Sequence, residues 1–335
     1  MHRPSIVLSV KDRFRTAFFT PDAIARLKAA GDLVLDPDPA HHETPGSHQI
    51  LANAEVLVTG WETGSIDSLL NSMPELRMLV HSGGSVRDVV GPQIFEHGVR
   101  VSSQTQLNAE PVAEYTLAMI ILAAKDIFAT RRAYTEARAK APDFWDAFPS
   151  IGLYGSTIGL IGLSRISRLI IEHLRPFHCT IKVSSGHLSA EEAKRLGVIP
   201  ASLEEVLRTS DVVSLHSAST PRTHHMLRAE HFAMMKDGAT FINTARGAIC
   251  DQEALIAELA KDRIRAIIDV TEPEVSVPDS PLWTLPNVFL TPHAAGSMGR
   301  ELHRLGDGAV DDVEHFLAGV PVAGEFTAEQ YAGRA

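Results

Sequence analysis

An arginine, two glutamates and a histidine stand just after three apolar runs late in the chain. These are Phe241-Ile-Asn-Thr-Ala-Arg246-Gly247, Ile267-Ile-Asp269-Val270 followed by Thr271-Glu272-Pro273-Glu274, and Asn287-Val-Phe-Leu-Thr-Pro-His293. Open α/β sheets place ligands beyond the carboxyl ends of their strands, so the three run ends are expected at one edge. The residue types form a coherent set. Arginine holds a carboxylate in a bidentate fork and polarises a neighbouring carbonyl. Histidine donates or removes the proton on a carbinol oxygen. A glutamate beside that imidazole orients it and favours its protonated form. Together they suit proton-coupled reduction of a carbonyl next to a carboxylate. Spacing alone leaves Glu272 and Glu274 both open as the partner of His293.

A second motif precedes them. After the apolar run Thr157-Ile-Gly-Leu-Ile161 comes Gly162-Leu-Ser-Arg-Ile-Ser167, leading into Arg168-Leu-Ile-Ile. Strand, turn and helix follow in the order of a dinucleotide-binding fingerprint, in which three glycines make the turn, admit the pyrophosphate and pack helix on strand. Only the first glycine is present here. Ser164 replaces the second, where its hydroxyl is a candidate donor to a phosphate at the helix N-terminus, and Ser167 replaces the third. The carboxylate expected to bind the ribose 2′-hydroxyl is missing, because Ser184-Ser185-Gly186-His187 follows the next strand. Its absence removes repulsion of a 2′-phosphate and tilts the expected cofactor towards NADP(H), with NAD(H) still open. A rival reading takes Ser164, Asp269 and His293 as a serine-hydrolase triad in chain order. Ile166 opposes it by standing where a nucleophile elbow needs glycine.

The elements that must position these residues read as alternating strands and helices. Strands are expected at Ile6–Val10, Leu33–Leu35, Val56–Thr59, Met78–His81 and Val99–Ser102. They resume at Thr157–Ile161, Thr180–Val183, Val212–Leu215, Thr240–Asn243, Ala266–Val270 and Val288–Leu290. Such alternation argues for parallel sheets with crossover helices. Helices are expected at Pro21–Ala30, as one long stretch over 109–140, and at Arg165–Leu174, Ala190–Leu196, Leu203–Arg208 and Gln252–Lys261. A last one spans Met298–Leu317, stopped by Gly319. The fold class is therefore α/β, with two doubly wound, Rossmann-like lobes of parallel sheet. A cofactor lobe over 104–296 is inserted into a flavodoxin-like substrate lobe made of 1–103 and 297–335, with the active site expected in the cleft. Phe144 and Trp145, before the fingerprint strand, are open as core, interface or lid.

Composition bounds the partners. The 335 residues are 44% hydrophobic and 21% charged, with a formal net charge of −10 and no basic block. Nucleic acid and an anionic membrane surface are poor candidate partners. The apolar stretch Leu117–Ala124 is far short of the ~20 residues that cross a bilayer. Cys179 and Cys250 make neither a disulfide framework nor a zinc motif, which fits a reducing, cytoplasmic setting. Sixteen histidines include the pairs His41-His42 and His224-His225. Neither has a companion at metal-ligand spacing, so both are read as surface or structural and no metal is expected.

Six segments together carry a family resemblance. They are Pro111-Val-Ala-Glu114, Tyr154-Gly-Ser-Thr-Ile-Gly-Leu-Ile-Gly162, Ser210-Asp-Val-Val-Ser-Leu-His216, Asn243-Thr-Ala-Arg-Gly247, Asp269-Val270 with Glu274, and Thr291-Pro-His293. In order and spacing the chain resembles the D-isomer-specific 2-hydroxyacid dehydrogenases. The resemblance implies hydride transfer between NAD(P)H and the 2-position of a small 2-keto or 2-hydroxy acid. It makes Arg246 the substrate anchor, His293 the acid/base and Glu274, not Glu272, its carboxylate partner. It assigns the substrate carboxylate to Ser82, Gly83 and Gly84 with Arg246. The cofactor falls to Gly162, Ser164, Arg165 and Ile166, then Ser184, Ser185 and His187, then His216, Ser217 and Thr223, and finally Thr244, Ala245, Asp269 and Gly296. It further implies a homodimer. Departures are the two serines in the turn, Ala218 and Val275 where the family usually has proline, and Ser85-Val-Arg-Asp88 in the substrate loop. The chemical trio is kept and the cofactor cradle altered, which favours a working enzyme of unusual preference. The alternative is a weak or inactive nucleotide-sensing protein on the same scaffold.

Overall fold

A computed structural model of the chain describes residues 2–139, 146, 148 and 151–333; Phe144 and Trp145 lie outside them. The chain forms two compact units, Met1–Ala109 with Ser297–Ala335, and Glu110–Gly296.

The first unit is built on strands β1 (Ser5–Ser9), β2 (Asp32–Leu35), β3 (Val56–Thr59), β4 (Met78–His81) and β5 (Arg100–Ser103). They run parallel in the order β5-β4-β3-β1-β2, a flavodoxin-like arrangement. Successive residues serve opposite faces. Ile6, Leu8, Val56, Val58, Met78 and Val80 enter one apolar cluster, and Val7, Leu57 and Leu79 enter the other. Both faces are covered, which is why these strands read as continuous apolar runs instead of alternating ones. The Pro21–Ala30 helix starts where expected, with the Thr20 side chain accepting from Ala23 N at 3.1 Å. Its Arg26 forks onto Glu314 and Asp311 of the Leu302–Ala318 helix, pinning the C-terminal segment to the N-terminal one.

Beyond the β1 end lies a buried polar cluster that the sequence did not disclose. Ser9 Oγ donates to Asp36 at 2.6 Å and lies 2.9 Å from His42 Nε2, and Ser47 donates to the other Asp36 oxygen. His42, read above as surface or structural, is therefore structural. Burial alone would raise the Asp36 pKa, but bonds from His42, Ser47, Ser9 and the Asp38 N–H outweigh it and hold it at about 2, against an ordinary 3.8. A depressed carboxylate stabilises the fold above its unfolded pKa, and that stabilisation is lost as pH falls through the folded value. Asp36 is accordingly expected to contribute about 2 kcal/mol at neutral pH, fading between about pH 4 and pH 2. Urea unfolding of Asp36→Asn should show that deficit at pH 7 and a much smaller one near pH 2. An equal deficit at both would assign the loss to packing.

The second unit carries β6 (Thr157–Ile161), β7 (Thr180–Ser184), β8 (Ile199–Pro200), β9 (Val212–Leu215), β10 (Thr240–Asn243), β11 (Arg265–Ile268) and β12 (Val288–Leu290). All are parallel, in the order β8-β7-β6-β9-β10-β11-β12. This is the dinucleotide-binding order with one further strand, and its topological switch point falls between β6 and β9.

Three expectations are corrected. The sheets contain two strands that the sequence reading lacked, β8 and the antiparallel β13 (Glu325–Phe326) on β5. Each has two residues, too few for a periodic signal. The long helical stretch is two helices, Thr105–Ala124 and Ile127–Ala137. Between them Asp126 takes left-handed backbone with φ +46°, and its carboxylate meets Arg265 at 2.7 Å. Aspartate tolerates that conformation, so the break needed neither Gly nor Pro to announce it. Finally, the helix expected from Met298 begins at Leu302, after a 3₁₀ turn at Gly299–Glu301, and it is not the last, because Ala328–Gly333 forms a further helix. Among the described residues no helix is long and apolar enough to cross a membrane.

Candidate active site

Strands β10, β11 and β12 end level, with Asn243 beside Ile268 and Ile268 beside Leu290. The three polar segments noted in the sequence are therefore adjacent loops at one edge of the second unit. Asn243 clips the first of them. Its side chain accepts from Ala245 N at 3.0 Å and donates to Arg246 O at 3.2 Å, folding Thr244–Arg246 over the strand end. Gly247 follows in close contact with the next loop, and a Cβ there would collide with Thr271 C and O and Glu272 N. That requirement for bare backbone is why glycine succeeds the arginine. Arg246 is exposed on extended backbone, and its Nη1 donates to Ala245 O at 2.7 Å. Among the described residues no carboxylate lies within ion-pair distance of its guanidinium, which leaves donors for an incoming anion.

Asp269 is the hub of the edge. Only 2% exposed, it accepts from Thr291 Oγ1 at 2.6 Å, Ala294 N at 2.8 Å and Ala295 N at 2.9 Å. Its carbonyl accepts from His293 N at 2.8 Å. The carboxylate therefore holds the whole Thr291–Ala295 loop in place, a duty that neither its spacing nor the resemblance disclosed. About four lone-pair directions serve a carboxylate, so one remains for a ligand amide. Tyr115 completes the network: Thr291 already donates to Asp269, so the tyrosine hydroxyl donates to Thr291, at 2.8 Å. Burial foremost, with the Asp269 charge adding to it, raises the Tyr115 pKa above that of an ordinary phenol. Tyr115 and Thr291 are the supporting residues that sequence reasoning missed. Thr291 sat inside a quoted motif, whereas Tyr115 comes from a helix with no local signal.

On this support His293 adopts a left-handed backbone, φ +54°, and its Nδ1 lies 2.5 Å from Glu274 Oε1. A carboxylate only accepts, so Nδ1 carries the proton and Nε2 is left for chemistry. Glu274, not Glu272, is the carboxylate on the imidazole. Glu272 turns instead towards His225, its Oε2 lying 3.5 Å from His225 Nε2.

The glycine-rich turn lies at the switch point. Gly162 has φ +96°, and a Cβ there would stand under 3 Å from Ser217 N, Cα and Oγ, so the turn admits only glycine. The Ser164 hydroxyl also has a local structural role. Ser164 caps the Arg165–Leu174 helix in a reciprocal box, its Oγ accepting from Ser167 N at 3.3 Å while Ser167 Oγ accepts from Ser164 N at 3.1 Å. Ser167 Oγ also donates to Gly162 O at 2.8 Å, so the two serines stitch the turn to its helix. The first helical N–H groups, those of Arg165 and Ile166, are the orphan donors left for an anion. The hydrolase triad does not form, because Ser164 is engaged with Ser167 and the His293 ring with Glu274.

The remaining expected cofactor residues divide. Ser184 O accepts from Gly162 N at 2.8 Å, and Ser185 Oγ accepts from His187 N in the exposed turn beyond β7. Thr223 Oγ1 donates to Ala218 O within its own loop, and Thr244 Oγ1 lies 3.2 Å from Thr116 Oγ1. Ala245 is engaged by Asn243, and Gly296 is half-buried at the end of the unit. The side chain of His216 is withdrawn: its Nε2 lies 2.8 Å from Ser214 Oγ, and burial pushes its pKa down to about 3. A neutral, buried ring offers a ligand only its backbone. In the first unit, Ser82 N donates to Thr59 O at 2.8 Å, and Gly83 fits closely against His81 and Trp61. Among the described residues the N–H groups of Gly83 and Gly84 have no acceptor, as a carboxylate-binding loop requires.

Comparison with known proteins completes the picture. The family model described as D-isomer specific 2-hydroxyacid dehydrogenase, NAD binding domain, matches residues 117–295. A glyoxylate reductase of Korarchaeum cryptofilum is 30% identical over 261 residues, covering 77% of this chain and 78% of that one. The D-3-phosphoglycerate dehydrogenase of Bacillus subtilis is 31% identical over 271 residues, 80% of this chain but 50% of the relative. The chain thus spans about half the length of the phosphoglycerate dehydrogenases it matches. The crystal structure of a phosphoglycerate oxidoreductase from Rhizobium etli superposes with a TM-score of 0.79 at 28% identity, covering 97% of this chain and 98% of that one. The chain belongs to the D-isomer-specific 2-hydroxyacid dehydrogenase family, its residues 117–295 matching that family's NAD-binding-domain model.

Proposed function

We propose that this protein transfers a hydride between a nicotinamide cofactor and C2 of a small 2-keto or 2-hydroxy acid, with D stereochemistry. The observation that carries the reading is the His293–Glu274 pair at 2.5 Å, on a strand edge that also presents Arg246, which no carboxylate among the described residues pairs. In the reductive direction Arg246 grips the carboxylate and polarises the carbonyl, and His293 Nε2 delivers the proton to the forming alkoxide. Glu274 stabilises the imidazolium from the far side of the ring. The amides of Gly83 and Gly84, which have no acceptor among the described residues, suit carboxylate binding in the first unit. On this reading the Glu110–Gly296 unit is the nucleotide-binding domain, and the remainder the substrate domain. The cofactor supplies the hydride, and its pyrophosphate is met by the Arg165 and Ile166 amides beyond Gly162.

We further propose a preference for NADPH over NADH, supported by the lack of a carboxylate at the end of β7. His187→Asp should reverse it, lowering the NADPH-to-NADH ratio of kcat/KM at least tenfold through repulsion of the 2′-phosphate. An unchanged ratio would remove this turn from the ribose site. The working unit on this reading is a cytoplasmic homodimer, for which light scattering should give twice the chain mass. The deciding experiment is turnover of a 2-keto acid panel with each cofactor, beside a fluorescence titration of the cofactors alone. Tight binding with no turnover across the panel would replace the enzyme reading with a nucleotide sensor.

A further inference from the structure

Adjacent residues of an extended chain point to opposite sides, so His224 and His225 should face apart. They do not. His225 has left-handed backbone, φ +47°, and the two imidazoles stack with centroids 4.0 Å apart and planes 18° from parallel. Left-handed backbone carries a steric penalty for any residue but glycine, and here it places two ring nitrogens on one side of the turn. The turn is tied down by His225 N donating to Ala248 O at 2.9 Å, Leu227 N to Ile249 O at 3.1 Å, and Arg228 Nε to His225 O at 3.0 Å. Opposite stands Glu272, the glutamate that the His293 site leaves unused. Its N–H donates to Gln252 Oε1 at 3.0 Å, and its loop is held against Gly247.

We propose that His224, His225 and Glu272 form a binding site for a divalent transition metal of the zinc class. Each residue offers a ligand atom, and these atoms all lie within 4.8 Å of one another. Bonds of about 2.0–2.1 Å in a tetrahedral shell put ligand atoms about 3.3 Å apart. Modest rotation of the exposed His224 and Glu272 side chains closes that difference, and water fills the fourth position. Two imidazole nitrogens and one carboxylate oxygen suit Zn²⁺, whereas Mg²⁺ and Ca²⁺ favour shells of oxygen. The third ligand lies 47 residues along the chain from His225, which is why the sequence reading, searching at motif spacing, expected no metal. The site does not depend on the dehydrogenase reading. An occupied site ties the loop that carries Glu274 to the His224–His225 turn.

The test uses the full chain, free of any polyhistidine tag and stripped with EDTA, titrated with Zn²⁺ in competition with a chromophoric indicator. One equivalent should bind with micromolar affinity and raise the melting temperature by a few degrees, because a ligand of the native state stabilises it. His224→Ala and Glu272→Gln, both at exposed positions, should each weaken that equivalent at least tenfold and reduce the thermal shift, with circular dichroism unchanged. Mg²⁺ should not compete. No saturable equivalent, one that survives both substitutions, or equal binding of Mg²⁺ would each overturn the proposal.

Discussion

Replacing His293 with alanine is expected to lower turnover about 10³-fold while leaving cofactor binding within a factor of two. General acid–base catalysis contributes typically about 10²–10⁴, and on the function proposed above His293 is the imidazole that supplies it. Its Nδ1 is tied to Glu274, and its backbone N–H is held by the Asp269 carbonyl. Removing the ring leaves that backbone support and the Gly162 turn in place, so a cofactor titration separates loss of chemistry from loss of fold. An alanine variant that keeps more than a tenth of the turnover would remove His293 from the mechanism.

The second large effect is expected at Arg246. Arg246→Lys keeps the charge and loses the planar fork, so KM for the 2-keto acid should rise about 10²-fold, with a smaller fall in kcat. A charge-assisted bidentate pair fixes both the position of the carboxylate and the angle of the neighbouring carbonyl. A lysine ammonium supplies only attraction. Asn243 and Gly247 position the backbone of residue 246 independently of its side chain, so the substitution should not disturb the edge. Unchanged kinetics would mean that the carboxylate is held elsewhere.

Much of this arrangement is legible in the sequence. The apolar runs of β1, β3, β4, β6, β9 and β10 are continuous because both faces of each sheet are covered, and such runs declare themselves. The Thr20 and Gly319 signals marked helix ends because caps act through nearest neighbours. What escaped notice had no local signal. A two-residue strand such as β8 or β13 exists only because an edge is there to receive it. The break at Asp126 relies on Arg265, far along the chain. The Ser9–Asp36–His42 cluster joins the end of β1 to the loop that follows β2, and the two share no motif.

The sequence by itself determined which side chains stand at strand ends, and therefore the class of chemistry available: an arginine, a histidine and a carboxylate on a unit that also carries a glycine turn. Periodicity, capping and glycine placement act over a few residues, so that information survives in one dimension. Tertiary structure decided partnership. It gave Glu274 to His293 and Glu272 to His225, although only one residue separates the two glutamates. It made Ser164 a helix cap, withdrew the His216 ring, and made Asp269 the clamp of the histidine loop. Each choice depends on which backbone lies within hydrogen-bond reach of a side chain. That reach, about 3 Å, is set by the packing of distant segments and not by spacing along the chain.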